Sequence, residues 1–226
     1  MENRKGSGIF LGVVGVATLV VAIIGATFAY FSATASNDNA ITGSTGAAGG
    51  LTLAIEKVTD TNSNLIPLNL HTGDTAGVDT TDQFSQAMTG SCKDGNESNV
   101  CVIYKITITN TSTTNAVKVV GNLNLTATDV TNMKWMQIDS NKAKLTDNQV
   151  QNSTGTAKPL TTSNGTTETE LSLNASGTQD YYVLVWLEEM GEAQEDNDAD
   201  GSYTGTVTFN AVGANGMNGV TATFNS

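Results

Sequence analysis

The stretch best suited to hold an ion is an aspartate ladder near the end of the chain. Asp196, Asp198 and Asp200 alternate with Asn197 and Ala199 and lead into Gly201 and Ser202. Oxygen donors at alternate positions, with glycine at the sixth for the sharp turn, match the first half of a calcium loop. The carbonyl of Ser202 would add one more oxygen. The bidentate glutamate that such loops carry at the twelfth position is replaced by Val207, so Glu192 or Glu195 would have to stand in from upstream. The competing reading is a solvated acidic hairpin loop. The sequence requires no cofactor and admits calcium at this one place.

Catalytic chemistry finds little to work with. His71 is the single histidine, which excludes the helical histidine pair of the common zinc proteases. A serine triad would have to use His71 within His71-Thr72-Gly73-Asp74-Thr75, where no nucleophile elbow stands nearby. A carboxylate pair for glycoside hydrolysis leaves no spacing signature in sequence. The chain is therefore read as a non-enzyme, with no catalytic residue assigned. Cys92 and Cys101 flank a polar loop, and in an exported chain such a pair reads as one disulfide. Closing so short a loop contributes roughly 2–3 kcal/mol in the chain-entropy model.

Export is indicated by the first thirty residues. Arg4 and Lys5 outweigh Glu2, and residues 9–28 form an unbroken run of apolar and small side chains. This is the charged n-region and apolar h-region of a secretory signal. Thr27 and Ala29 suit the positions before a cleavage site, so the mature chain would begin at Tyr30, and Ala33-Thr34-Ala35 offers a second site. The same run is long enough to span a bilayer as a retained anchor. Residues 30–50 follow as an arm that opens on Tyr30 and Phe31 and ends in a Gly/Ser/Thr/Ala stretch of linker composition.

From Leu51 onward the hydrophobic period is two. Strands are expected over residues 51–58, 101–110, 116–130, 133–139, 168–174, 179–189, 202–212 and 219–225, with a bulge at Gly121. The segment 179–189 is apolar on both alternating sets, so it is expected at the centre of a sheet. Residues 62–90 read as irregular and 141–167 as a long surface excursion. No amphipathic helix is evident, and the polar residues are mostly Thr, Asn, Ser and Gly, which suit sheet surfaces and turns. The expected fold class is all-β: a jelly-roll-like β-sandwich over residues 51–226, preceded by an apolar signal or helical segment (1–29) and a flexible N-terminal arm (30–50). A net charge of −12 argues against a nucleic-acid partner.

The leader and arm, with Thr27-Phe28-Ala29-Tyr30-Phe31-Ser32 and the later Gly50-Leu51-Thr52-Leu53, resemble the TasA/camelysin family. The second match is residues 185–211, similar to that family's penultimate strand, acidic loop and final strand. The resemblance implies a secreted subunit of extracellular fibres in biofilm matrix or on the cell surface, exported through a dedicated signal peptidase. It also implies partners that are copies of the same chain, joined head to tail by donor-strand exchange. Tyr30, Phe31, Ala33, Ala35 and Ile41 would then be the arm's buried side chains, and residues 43–50 its hinge. Three or four such side chains represent roughly 5–12 kcal/mol gross, before ordering costs. The disulfide loop departs from the family pattern. Other readings are a pilin-like subunit that retains residues 9–28 as a helix, and a monomeric surface binding module.

Overall fold

The computed structural model describes residues 41–45, 50–59, 65–70, 83–130, 132–145, 150–161, 170–189, 202–212 and 219–226. The elements in chain order are β1 (Ile41–Thr45), β2 (Leu51–Lys57), α1 (Phe84–Thr89), β3 (Cys101–Asn110), β4 (Val117–Thr128) and β5 (Met133–Ile138). After them come β6 (Gln151–Asn152), β7 (Lys158–Pro159), β8 (Leu171–Leu173), β9 (Thr178–Leu187), β10 (Ser202–Ala211) and β11 (Val220–Asn225).

These strands make two antiparallel sheets. The first runs β1-β2-β3-β9-β5-β6, and the second runs β11-β10-β4-β7, with β8 also on β4. The expected β-sandwich is thus present, and its winding is more specific than a generic double sheet. In chain order β2, β3, β4, β5, β9, β10 and β11 take the places of strands A to G of a constant-type immunoglobulin sandwich, ABED against CFG. β1 is an additional strand on the outer edge of β2, and β6 to β8 fill the connection between the fourth and fifth of those strands.

Strand alternation builds the interior. Leu51, Leu53 and Ile55 of β2, Val102, Tyr104, Ile106 and Ile108 of β3, and Val183 and Val185 of β9 meet Val119, Leu123, Val207, Phe209 and Phe224 from the opposite sheet. Two cross-strand pairs fit an aromatic ring over a glycine. Phe209 is paired with Gly121 and Phe224 with Gly205. A Cβ on either glycine would lie 2.4 Å or 2.1 Å from the ring beside it. Gly121 therefore does not mark a bulge, as its composition suggested. Pairing runs unbroken past it, and glycine is needed there to make room for Phe209.

The first sheet is also covered on its outer face. Ile103, Met136, Ile138, Leu184 and Trp186 pack there against Leu68, Leu70, Phe84, Ala87 and the Cys92–Cys101 pair. This second core explains why β9 is apolar on both faces, as its sequence predicted. Its cover includes α1, which the periodicity did not show, because a six-residue helix is less than two turns and buries only Phe84 and Ala87. The stretch read as a long surface excursion likewise contains β6 and β7.

Buried polar groups tie the ends together. Asn110 is fully buried, and its Nδ2 donates to the carbonyls of Asn115, Leu173 and Asn174 at 2.8, 3.3 and 2.9 Å. It pins the end of β3 to the turn after β8. Across the sandwich the Tyr104 hydroxyl meets the Tyr203 hydroxyl at 2.9 Å and donates to the Asn225 carbonyl at 3.0 Å.

Candidate assembly edge and surface groove

Five residues of the arm form an edge strand. Ile41 lies opposite Ile55, Thr42 opposite Ala54, Gly43 opposite Leu53, Ser44 opposite Thr52 and Thr45 opposite Leu51. Gly43, Ser44 and Thr45, assigned above to the hinge, thus belong to the strand, because antiparallel pairing with β2 satisfies their backbone. The connection to β2 shortens to residues 46–50. β1 ends its sheet, so its other backbone edge has no strand beside it among the described residues. β11, at the end of the second sheet, packs near β1 and β2.

Ile41 is the only proposed donor residue among those described. Tyr30, Phe31, Ala33 and Ala35 and the cleavage position Ala29 lie outside the described residues, as do Asp196, Asp198, Asp200 and His71. Ser202 is described, as the exposed first residue of β10 paired with Thr128. Among the described residues no group of three or more His, Cys, Asp or Glu side chains is placed to hold a metal ion.

Cys92 and Cys101 are bonded, with Cα atoms 4.8 Å apart. The loop between them is closed by a Lys93–Asn99 bridge and organised by Asp94, whose Oδ1 accepts from the Asn96 and Ser98 amides at 2.9 and 2.7 Å. The disulfide anchors this loop to the start of β3, and its sulfurs sit in the outer core with Trp186.

Beside it lies a groove of about 930 Å³. Leu68, Ala87 and Val100 contribute apolar surface, with Ile66 exposed at the rim, and Gln83, Asn132 and Glu188 bring polar groups. The segment carrying Leu68 is held by its amide, which donates to the Leu187 carbonyl at 2.9 Å, and by the Glu189 amide, which donates to the Leu68 carbonyl at 3.3 Å. Glu188 is buried and accepts a hydrogen bond from Trp186 Nε1. Four chain segments far apart in sequence supply these walls, so no local motif announces the groove. Its polar side chains include the amides of Gln83, Gln86 and Asn132, the carboxylates of Asp94, Glu188 and Glu189, the hydroxyls of Ser85 and Thr89, and the Lys93 ammonium.

The perturbed titrations are structural. Burial pushes the Tyr203 hydroxyl well above the usual tyrosine range, with Tyr104 adding to the effect. Burial also pushes Tyr181 up to about 12. The Lys105 ammonium is raised by its hydrogen bond to Asp180, 3.0 Å away, in a pair that is largely at the surface.

No family model and no curated protein matches the sequence. Among solved structures, the N-terminal domain of PorA is 11% identical over 55% of this chain and 76% of that one, at a TM-score of 0.28. A family 123 glycoside hydrolase from Clostridium perfringens is 14% identical over 55% of this chain, spans only 20% of its own length, and scores 0.26. A PapD-like domain of human CEP192 is 11% identical over 55% of this chain and 70% of that one, at 0.24. Likenesses at this level carry no functional weight, and the sandwich rests on its own strand register.

Proposed function

We propose that this chain is a structural subunit of an extracellular fibre, joined to the next copy by exchange of β1 at the edge of β2. The observation that carries the reading is the position of β1 as an added strand at the sheet edge. β1 pairs with β2 through its backbone and stands at the edge of its sheet, outside the seven strands that make the principal sandwich. If β1 leaves, the β2 edge is opened and offers unpaired N–H and C=O groups, which the same residues of another copy would fill in the same register. Exchange conserves the five cross-strand pairings, so its equilibrium is set largely by concentration. Because each copy gives its arm to one neighbour and receives from another, the contact is head to tail and the product is an open filament.

The leader-like segment and the disulfide are consistent with work outside the cell. No catalytic role is assigned.

Two single-cysteine variants test the exchange directly. Thr42 and Ala54 are register partners. Thr42→Cys and Ala54→Cys, mixed in equal amounts during assembly and then oxidised, should give covalent heterodimers inside filaments seen by electron microscopy. A chain lacking residues 30–45 should form no filaments. Filaments without intermolecular cross-links, or filaments from the shortened chain, would overturn strand exchange. Edman sequencing of the purified protein separates a chain starting at Tyr30 from a pilin-like one that retains residues 9–28.

A further inference from the structure

We propose that the outer face of the second sheet is a binding surface for a neutral polysaccharide chain. The register of three adjacent strands sets out side chains in rows. Asn124, Thr206 and Thr223 form one row, and Asn122, Thr208 and Thr221 form the next. A third row, Thr126, Thr204 and Asn225, continues the array. All of these residues alternate with buried ones such as Leu123, Val207 and Ala222, so they share the outward face and are half-buried or exposed.

Every position in the array carries a hydroxyl or an amide, and none carries a charge. Hydroxyls and amides both donate and accept, which is the complement of a sugar's hydroxyl pattern. Threonine is stiff at χ1, so its hydroxyl is held in place before a ligand arrives and little rotamer freedom is lost on binding. Thr208 and Thr221 already share a hydroxyl–hydroxyl contact of 3.1 Å across the strands. The middle row also holds an unmet acceptor, since Asn124 Oδ1 is buried without a hydrogen-bond partner.

The other classes of occupant fit less well. A nucleic acid or anionic surface needs cations, and the nearest lysine on β4, Lys118, is 3.6 Å from Glu170. At strand spacings the array covers roughly 300 Å², well short of the roughly 800 Å² per partner of a stable protein interface. An uncharged, extended polymer meets neither objection, and repeated copies of the face would add to its retention.

The test is co-sedimentation of the full chain with microcrystalline cellulose, chitin and insoluble starch. We expect wild-type protein to bind at least one of the three. Thr206→Val, Thr208→Val and Thr223→Val together keep the β-branched shape and remove the hydroxyls, and the bound fraction should fall about tenfold or more. The corresponding triple serine variant keeps the hydroxyls and should bind as wild type does, which guards against a folding effect. Filament formation should be the same in all three proteins, so failure here is distinguishable from failure of strand exchange. Binding to none of the polymers, or equal binding by the valine variant, overturns the proposal. So does a wild-type dimer in sedimentation velocity that the valine substitutions abolish, because the face would then belong to a second copy.

Discussion

Gly205 and Phe224 show how one atom decides the packing of a sheet. A Cβ at Gly205 would fall 2.1 Å from the Phe224 ring, which is fully buried and cannot swing away. We expect Gly205→Ala to cost about 1–3 kcal/mol in urea unfolding, as overpacked cores do. Gly95, in the disulfide loop, has open space around its would-be Cβ. Gly95→Ala should stay within about 0.5 kcal/mol of wild type, and equal effects at both sites would refute the packing account. Tyrosine titration gives a second prediction at this scale. Tyr181 is raised to about 12 by burial, so its neutral form is favoured in the folded state. Its contribution is fully present below the ordinary tyrosine pKa of about 10 and is lost as pH rises through about 12, by up to roughly 1.4 kcal/mol per unit. Tyr181→Phe should make that part of the stability profile shallower, the buried Tyr203 still contributing to it, while leaving the neutral-pH value nearly unchanged, as read by denaturant midpoints from pH 7 to 12.

Among the elements, legibility follows the kind of interaction that forms each one. β3 spans the predicted residues 101–110, and β2, β4, β5 and β9 to β11 fall within a residue or two of expectation, because alternation is written locally in the order of side chains. The disulfide was legible for a similar reason, since two cysteines leave one pairing. α1 was not, because it is held by Phe84 and Ala87 packing on a sheet face rather than by its own period. The bulge expected at Gly121 failed because the cause of that glycine is Phe209, 88 positions later in the chain by the register that joins them. The groove and the threonine array depend on the same long-range register. At this scale we expect reduction of Cys92–Cys101 to cost roughly 2–3 kcal/mol by the loop-entropy estimate. Because the sulfurs sit among Phe84, Ala87 and Trp186, the loss should appear as early exposure of that outer core. Tryptophan fluorescence under reducing urea titration would show Trp186 changing before the bulk of the sandwich, whereas one coincident transition would mean the two cores unfold as a unit.

For the whole molecule, net charge opposes the assembly proposed at the edge strand. Each copy carries −12, so a filament stacks like-charged subunits, and that repulsion acts through solvent where salt screens it. A β1–β2 pairing exchanged between copies would be made of backbone hydrogen bonds and nearly indifferent to salt. Raising ionic strength from about 0.01 M to about 0.15 M shortens the screening length from about 30 Å to about 8 Å, which is less than a subunit's width. The critical concentration for filaments should therefore fall with salt, while the unfolding midpoint of the shortened chain lacking residues 30–45 shifts much less. Light scattering across a salt series, with the shortened chain as the baseline, measures both. Assembly that weakens with added salt would mean that attraction between charges, and not strand exchange against a uniform repulsion, holds the copies together.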